Sequence, residues 1–498
     1  MRAKYILVVL GLMLALASTA LARSKFKILH NFGSSNDGYT PGGALLLDSH
    51  GSLYGGTAGG PGEYGNGTVY ELAPQADGTW SETILHAFSA GSGGANPWGS
   101  LILDGAGNLY GTMPLGANYI GGVFELSPGS GGWAYSVLYT ENSGPGLVMD
   151  KVGKLYGQIG PGQYKYYGAV AELSPGSDGW TYTALYSFCG QQDCPGGYDM
   201  PAPPIWDGKG NLYGTTDFGG DWQPFCWRSG QAGCGVLFEM TPNGDGTWTY
   251  HVLHRFASSS TDGQIPGGGL VMDAAGNLYG NTAAGGRYGR RDGGYGNGTV
   301  FKLAFTDGKW QKTDIYEFPK CSDGCSPYDA MVFDKAGNLY GAANGGLPDC
   351  DGYDCGVVFK LSPQAGGKWT YSVVHKFTAA DGEYPLGVII DGKGNLFGTT
   401  QSFGKYHSGT AFEITPQFPM FFPAAAFAFV QVCGRGPHAW VRAEATSRCR
   451  TFSAAPSTTT SLPLIPCSRT HASSTTLPVS VSRSCPQART VTTETEQA

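Results

Sequence analysis

The 498-residue chain carries 81 glycines and 13% aromatic residues but only 14% charged ones, with a formal net charge of −7. Glycine this frequent without a three-residue period excludes collagen, and the aromatic content excludes a wholly disordered chain. The acidic balance leaves no basic footprint for nucleic acid.

Residues 1–22 have the form of an export signal. Arg2 and Lys4 precede an apolar run from Ile6 to Ala17, and Ala20-Leu21-Ala22 offers the small-x-small pattern that a signal peptidase cleaves. The run is too short for a membrane span, so the mature chain is expected to begin at Arg23, outside the cytoplasm and without a transmembrane helix.

Beyond it lies a repeat. Asp-x-x-Gly-x-Leu-Tyr-Gly recurs seven times, beginning at Asp48, Asp104, Asp150, Asp207, Asp273, Asp334 and Asp391, with Phe397 replacing Tyr in the last copy. Each copy follows a short apolar run such as Ala44 to Leu47, which predicts a strand a, with strand b at Leu-Tyr-Gly. A segment of the type Thr299 to Leu303 predicts strand c, and one of the type Trp248 to Phe256 predicts strand d. Repeats of 46 to 66 residues are too long and uneven for β-helix rungs; they fit four-stranded propeller blades with loop insertions.

Strand d follows only six of the seven a–b–c sets, opening at Trp80, Trp133, Trp180, Trp248, Trp310 and Trp369. The missing copy stands at the other end, as Phe26 to Phe32. The fold expected over residues 23–416 is therefore an all-β, seven-bladed propeller, closed by pairing the N-terminal strand with the last repeat. Residues 417–498 lack Tyr, Asp and Lys but hold seven Arg with much Ser, Thr and Pro, and are expected to be disordered. A frameshifted or unrelated C-terminus is a second reading of that tail.

The compound motif of Gly387 to Gly398 joined to Gly409 to Ile414 resembles the repeat of the choice-of-anchor tandem repeat GloVer-containing proteins, over about residues 26 to 416. The resemblance implies an exported bacterial protein, secreted or at the cell surface, and carries no defined chemistry. Strand b is also similar, more generically, to NHL-type propellers.

Twelve cysteines in an exported chain predict disulfides. Eight form close pairs, Cys189/Cys194, Cys226/Cys234, Cys321/Cys325 and Cys350/Cys355, without the C-x-x-C spacing of a zinc site. All four pairs fall in d–a or b–c connections, which emerge on one face of a propeller.

Sevenfold repetition also sorts the chemical candidates. Asp48 and its equivalents are expected to cap the a–b turn rather than form a ring of acids, and Asp37, Asp262, Asp323 and Asp381 to open turns before strand a. His30, His86, His254 and His375 share a position that other blades fill with Tyr139, Tyr186 and Tyr316, so they read as scaffold rather than as general bases. The strand d Trp residues read as packing.

What does not repeat lies in the b–c insertions Asp217 to Gly233 and Ala283 to Gly298. Trp222, Trp227, Arg228, Arg287, Tyr288, Arg290, Arg291, Asp292 and the loop residue Tyr353 are therefore the candidate binding residues. Asp349, Asp351 and Asp354 offer a calcium-like loop, but Lys360 stands where an EF-hand has Glu, and an acidic disulfide loop is the preferred reading. No metal, cofactor or catalytic residue is assigned.

The function expected is a non-catalytic binding module for a glycan or extracellular protein. The alternatives are a glycan hydrolase or lyase using Asp217, Asp221, Asp292, Asp349, Asp351 or Asp354, and a module that only spaces or assembles.

Overall fold

A computed structural model describes residues 24–416 apart from 35–36, 61–65, 89–95, 114–120, 142, 161–166, 191–193, 221–225, 227–232, 289–295, 346–347 and 351–352, together with 429–433 and 440–444. Residues 1–22 lie outside it, as does most of the tail. Within the tail, Phe429–Cys433 pairs antiparallel with Trp440–Glu444.

Seven antiparallel sheets form the propeller. Blade 1 comprises Tyr39–Leu47, Leu53–Gly59, Thr68–Pro74 and Trp80–Ala87 as strands a to d. Blades 2 to 6 repeat this order from Ile102–Leu103 to Trp369–Lys376. Blade 7 has Ile389–Ile390, Leu396–Ser402 and Thr410–Thr415, and its fourth strand is Lys25–Asn31. That strand pairs from Lys25↔Thr415 to Asn31↔Thr410, so the ring closes as expected and no blade edge is left open at the seam.

The repeated residues hold this ring together. Asp48 Oδ1 accepts the N–H groups of His50 and Ser52 at 2.8 Å each, and Asp104, Asp150, Asp207, Asp273, Asp334 and Asp391 do the same in their own turns. The expected capping role is what the geometry shows.

The glycine of Leu-Tyr-Gly is needed for packing. A Cβ at Gly111, Gly214, Gly280, Gly341 or Gly398 would stand 2.5–2.7 Å from the ring tip of the strand c Phe in its own blade.

Between blades, the strand d Trp meets the strand b aromatic of the preceding blade. Ring centroids are 6.1 Å apart for Trp180–Tyr110, 6.0 Å for Trp310–Tyr213 and 6.1 Å for Trp80–Phe397. The His/Tyr position of strand d stacks on the residue two after Trp in the next blade: His86–Tyr135, Tyr139–Tyr182, Tyr186–Tyr250, Tyr316–Tyr371 and His375–Phe26 lie 3.7–4.9 Å apart and within 9° of parallel.

Two interfaces depart from this pattern. At blades 4 and 5, His254 meets Asp262 at 3.0 Å, and Lys312 of blade 5 reaches Asp262 at 2.8 Å and Asp314 at 2.6 Å. At the closing seam, His30 meets Asp37 at 2.8 Å and Glu82 at 3.6 Å.

Candidate functional site

The d–a and b–c connections lie on one face and are tied to one another. Gly263–Gln264 pairs with Ala284–Gly285, Tyr198 bridges Phe218, and Cys325 bridges Gly345. Cys189–Cys194, Cys226–Cys234 and Cys321–Cys325 are disulfides with Cα separations of 4.2, 5.5 and 4.7 Å. Cys355 is also disulfide-bonded, while the side chain of its expected partner, Cys350, lies outside the described residues. The Cys194 carbonyl accepts N–H bonds from Gly197 and Gly220, which docks this disulfide turn on the neighbouring b–c loop.

Of the candidate binding residues, Arg287 and Tyr288 are described. Arg287 is held outward by Glu317 at the end of strand d, with its N–H 2.8 Å from Glu317 Oε2 and its guanidinium 3.5 Å from Oε1. Neither residue lines the central cavity. Trp222, Trp227, Arg228, Arg290, Arg291 and Asp292, and the side chains of Tyr353, Asp349, Asp351 and Asp354, lie outside the described residues.

At the centre of the same face the strand a segments of all seven blades surround a cavity of about 390 Å3. This is within the range of roughly 300–1,000 Å3 typical of small-molecule sites. Half of its wall is glycine, proline and alanine, as at Gly43, Pro145, Pro201, Ala202 and Gly269.

Three of the other side chains depart from the repeat. Trp98 and Tyr328 occupy one repeat position, six residues before the turn Asp, which is Gly42, Gly144, Pro201 and Gly267 in blades 1, 3, 4 and 5. Both line the cavity, and both are 39% exposed. Each lies against the glycine of the preceding blade: a Cβ at Gly42 would be 3.1 Å from Trp98 Cγ, and one at Gly267 would enter the Tyr328 ring. The third is Asp329, where blades 1 to 5 have Gly43, Gly99, Pro145, Ala202 and Gly268 and blade 7 has Leu386.

Asp329 is partly open to the cavity yet deep in the ring, and burial pushes its carboxyl up to about 7. The Tyr328 hydroxyl donates to Asp217 Oδ2 at 3.0 Å, and the Asp217 N–H donates to the Asp199 carbonyl at 2.8 Å. Burial, then Asp217, Asp199 and Asp329, hold the Tyr328 hydroxyl protonated. Polar residues at the fourth position of strand b fix the wall across blade boundaries. Asn281 Nδ2 donates to the Asp329 carbonyl at 2.6 Å, and Gln158 Oε1 accepts the Met200 N–H at 2.6 Å. Two aromatic rings and the Asp329 carboxyl group thus stand in the wall of the mouth.

The raised Asp329 value has a signed consequence. Its folded value stands above the unfolded one, so its unfavourable ionisation costs nothing below about pH 4 and grows as pH rises toward 7. Asp329→Asn is therefore expected to raise Tm at pH 8 and to leave it unchanged at pH 4, by thermal melts at both pH values.

The model of the Gloeobacter/Verrucomicrobia repeat matches residues 16–225 and again residues 224–441. The chain belongs to this repeat family. The two matches run on from one another through most of the propeller, in keeping with one repeated unit. No curated protein matches the chain.

Among solved structures, this repeat protein is similar to PorZ, a surface component of the type-IX secretion system of Porphyromonas gingivalis, at 13% identity and TM-score 0.46, over 82% of this chain and 50% of that one. It is also similar to an ulvan lyase at 12% identity and TM-score 0.46, over 78% of this chain and 95% of that one. A hypothetical selenium-binding protein from Sulfolobus tokodaii aligns at 11% identity and TM-score 0.46, over 72% of this chain and 89% of that one. Among the described residues, no helix is long and apolar enough to cross a membrane.

Proposed function

We propose that this repeat propeller is an exported, non-catalytic binding module that holds a glycan at the central cavity of its loop face. One observation carries the reading: Trp98 and Tyr328, half-exposed, line a preformed cavity whose other blades offer only small residues at the same position. Aromatic faces stack on the apolar faces of sugar rings, and a rigid wall spares the entropic cost of ordering on binding. Asp329 and the nearby Asp217 make the mouth acidic, which favours neutral or amino-bearing sugars over uronates.

A screen of neutral, amino-bearing and acidic polysaccharides with the exported chain tests this. Binding of the first two classes, weakened at least tenfold by Trp98→Ala, is expected, a loss of about 1.4 kcal/mol or more. Failure of all classes to bind, or unchanged binding by Trp98→Ala, contradicts it.

A second reading rests on Asp329. A carboxyl raised to about 7 beside a cavity suits general acid–base chemistry on a glycan, with Asp217 as the second acid. It requires release of new sugar ends from a bound polysaccharide and loss of that release in Asp329→Asn with binding retained.

A further inference from the structure

The two polar blade interfaces are built alike but differ in charge. At blades 4 and 5, Asp262 pairs with His254 at 3.0 Å and with the Lys312 ammonium at 2.8 Å. At the closing seam His30 and Asp37 hold the same positions, and the residue matching Lys312, two after the strand d Trp, is Glu82. The corner filled by a positive group in one interface is filled by a carboxylate in the other.

The ligand atoms of His30, Asp37 and Glu82 all lie within 4.8 Å of one another. Asp37 is buried, with its side chain 1% exposed, while His30 and Glu82 keep 20% and 15%. His30 Nε2 stands 2.8 Å from Asp37 Oδ2 and 3.6 Å from Glu82 Oε2. These spacings straddle the edge of about 3.3 Å of a tetrahedron built on metal–ligand bonds of about 2.0–2.1 Å.

A second change lies in blade 1. Strand c carries Phe124, Phe238, Phe301, Phe359 and Phe412 in blades 2, 4, 5, 6 and 7 and Ala171 in blade 3, but blade 1 has Tyr70. Tyr70 is fully buried, and its hydroxyl has no hydrogen-bond partner among the described residues. Glu82 and Asp37 both act on it electrostatically. Asp37 Oδ1 and Glu82 Oε1 are likewise buried, with no hydrogen-bond donor among the described residues.

We infer that the seam where the ring closes is a binding site for a divalent transition-metal ion, held by His30, Asp37 and Glu82. One imidazole with two carboxylates suits Zn2+ among the common ions. The ligands come from the N-terminal strand, the turn after it and blade 1, so the ion would clamp both sides of the closure. This site is separate from the central cavity and stands or falls independently of it.

The test is Zn2+ titration of the full, disulfide-intact chain after chelator dialysis, with metal content and Tm as readouts. Glu82→Tyr restores the aromatic pairing of the other interfaces and so keeps a folded ring. Wild type is expected to bind Zn2+ with a rise in Tm. Glu82→Tyr should lose one Zn2+ per chain and the rise. No Zn2+-dependent shift in wild type, or the same stoichiometry and shift in Glu82→Tyr, overturns the inference.

Discussion

Replacing Lys312 with methionine is expected to destabilise the propeller by about 3–5 kcal/mol, the usual cost of stranding a buried charge. The Lys312 side chain is only 7% exposed and neutralises two carboxylates, Asp262 and Asp314, themselves 6% and 20% exposed. Burial opposes the ionisation of Asp262, but the His254 hydrogen bond and the Lys312 charge outweigh it and hold its carboxyl well below the ordinary range. With the folded value below the unfolded one, this contribution is complete above the ordinary carboxylate range and is lost only as pH falls into strong acid. Methionine fills the volume but leaves two acids facing each other. Denaturant unfolding of Lys312→Met at pH 7 measures the loss, and adding Asp262→Asn should recover part of it. A change below 1 kcal/mol would mean that water reaches the pair.

Phe32→Ala is expected to cost about 3–5 kcal/mol, like other deletions of a fully buried aromatic ring. Phe32 is 0% exposed, stands 5.0 Å from Tyr70 by ring centroids, and bonds through its N–H to the Gly409 carbonyl at 3.0 Å. It joins the closing strand to blade 1 in a cluster with Leu29, Leu45, Leu53 and Leu72. Phe256 fills the matching place between blades 4 and 5, with its ring 5.3 Å from Phe301. Phe256→Ala should therefore lose similar packing energy. The two variants should differ in where the ring opens: hydrogen exchange at Thr410–Thr415 should speed up in Phe32→Ala alone, because that strand holds the N-terminal strand. Equal protection there in both variants would mean that the seam is no weaker than any other blade boundary.

Most of the fold was legible because it repeats. Seven turns of the type Asp48 to Gly55 set the blade number, and Phe26 to Phe32 supplied the strand missing from the end. The same comparison correctly assigned the turn aspartates, the strand d tryptophans and His86 and His375 to the framework.

The cavity was not legible in this way. Trp98, Tyr328 and Asp329 sit in short runs before strand a, with no insertion or motif to mark them, and meet only because the ring closes. The signal that could have found them is the glycine at their repeat position in other blades: an aromatic at 98 or 328 where Gly42 and Gly267 stand is an exception to the framework. The long insertion of blade 5 carries Arg287, which pairs with Glu317 and does not line the cavity. Glu82 escaped for a related reason. Its position carries Tyr135, Tyr182, Tyr250, Lys312, Tyr371 and Phe26 elsewhere, and nothing in the linear order reveals that it faces His30 across the seam.

A crystal structure of the chain soaked with the tightest-binding oligosaccharide of the screen places the function most directly. Sugar density is expected in the central cavity, stacked on Trp98 or Tyr328 and within hydrogen-bond reach of Asp329. Density confined to the insertions at 217–233 and 283–298, or to the outer surface of the blades, would contradict a binding site at the channel mouth.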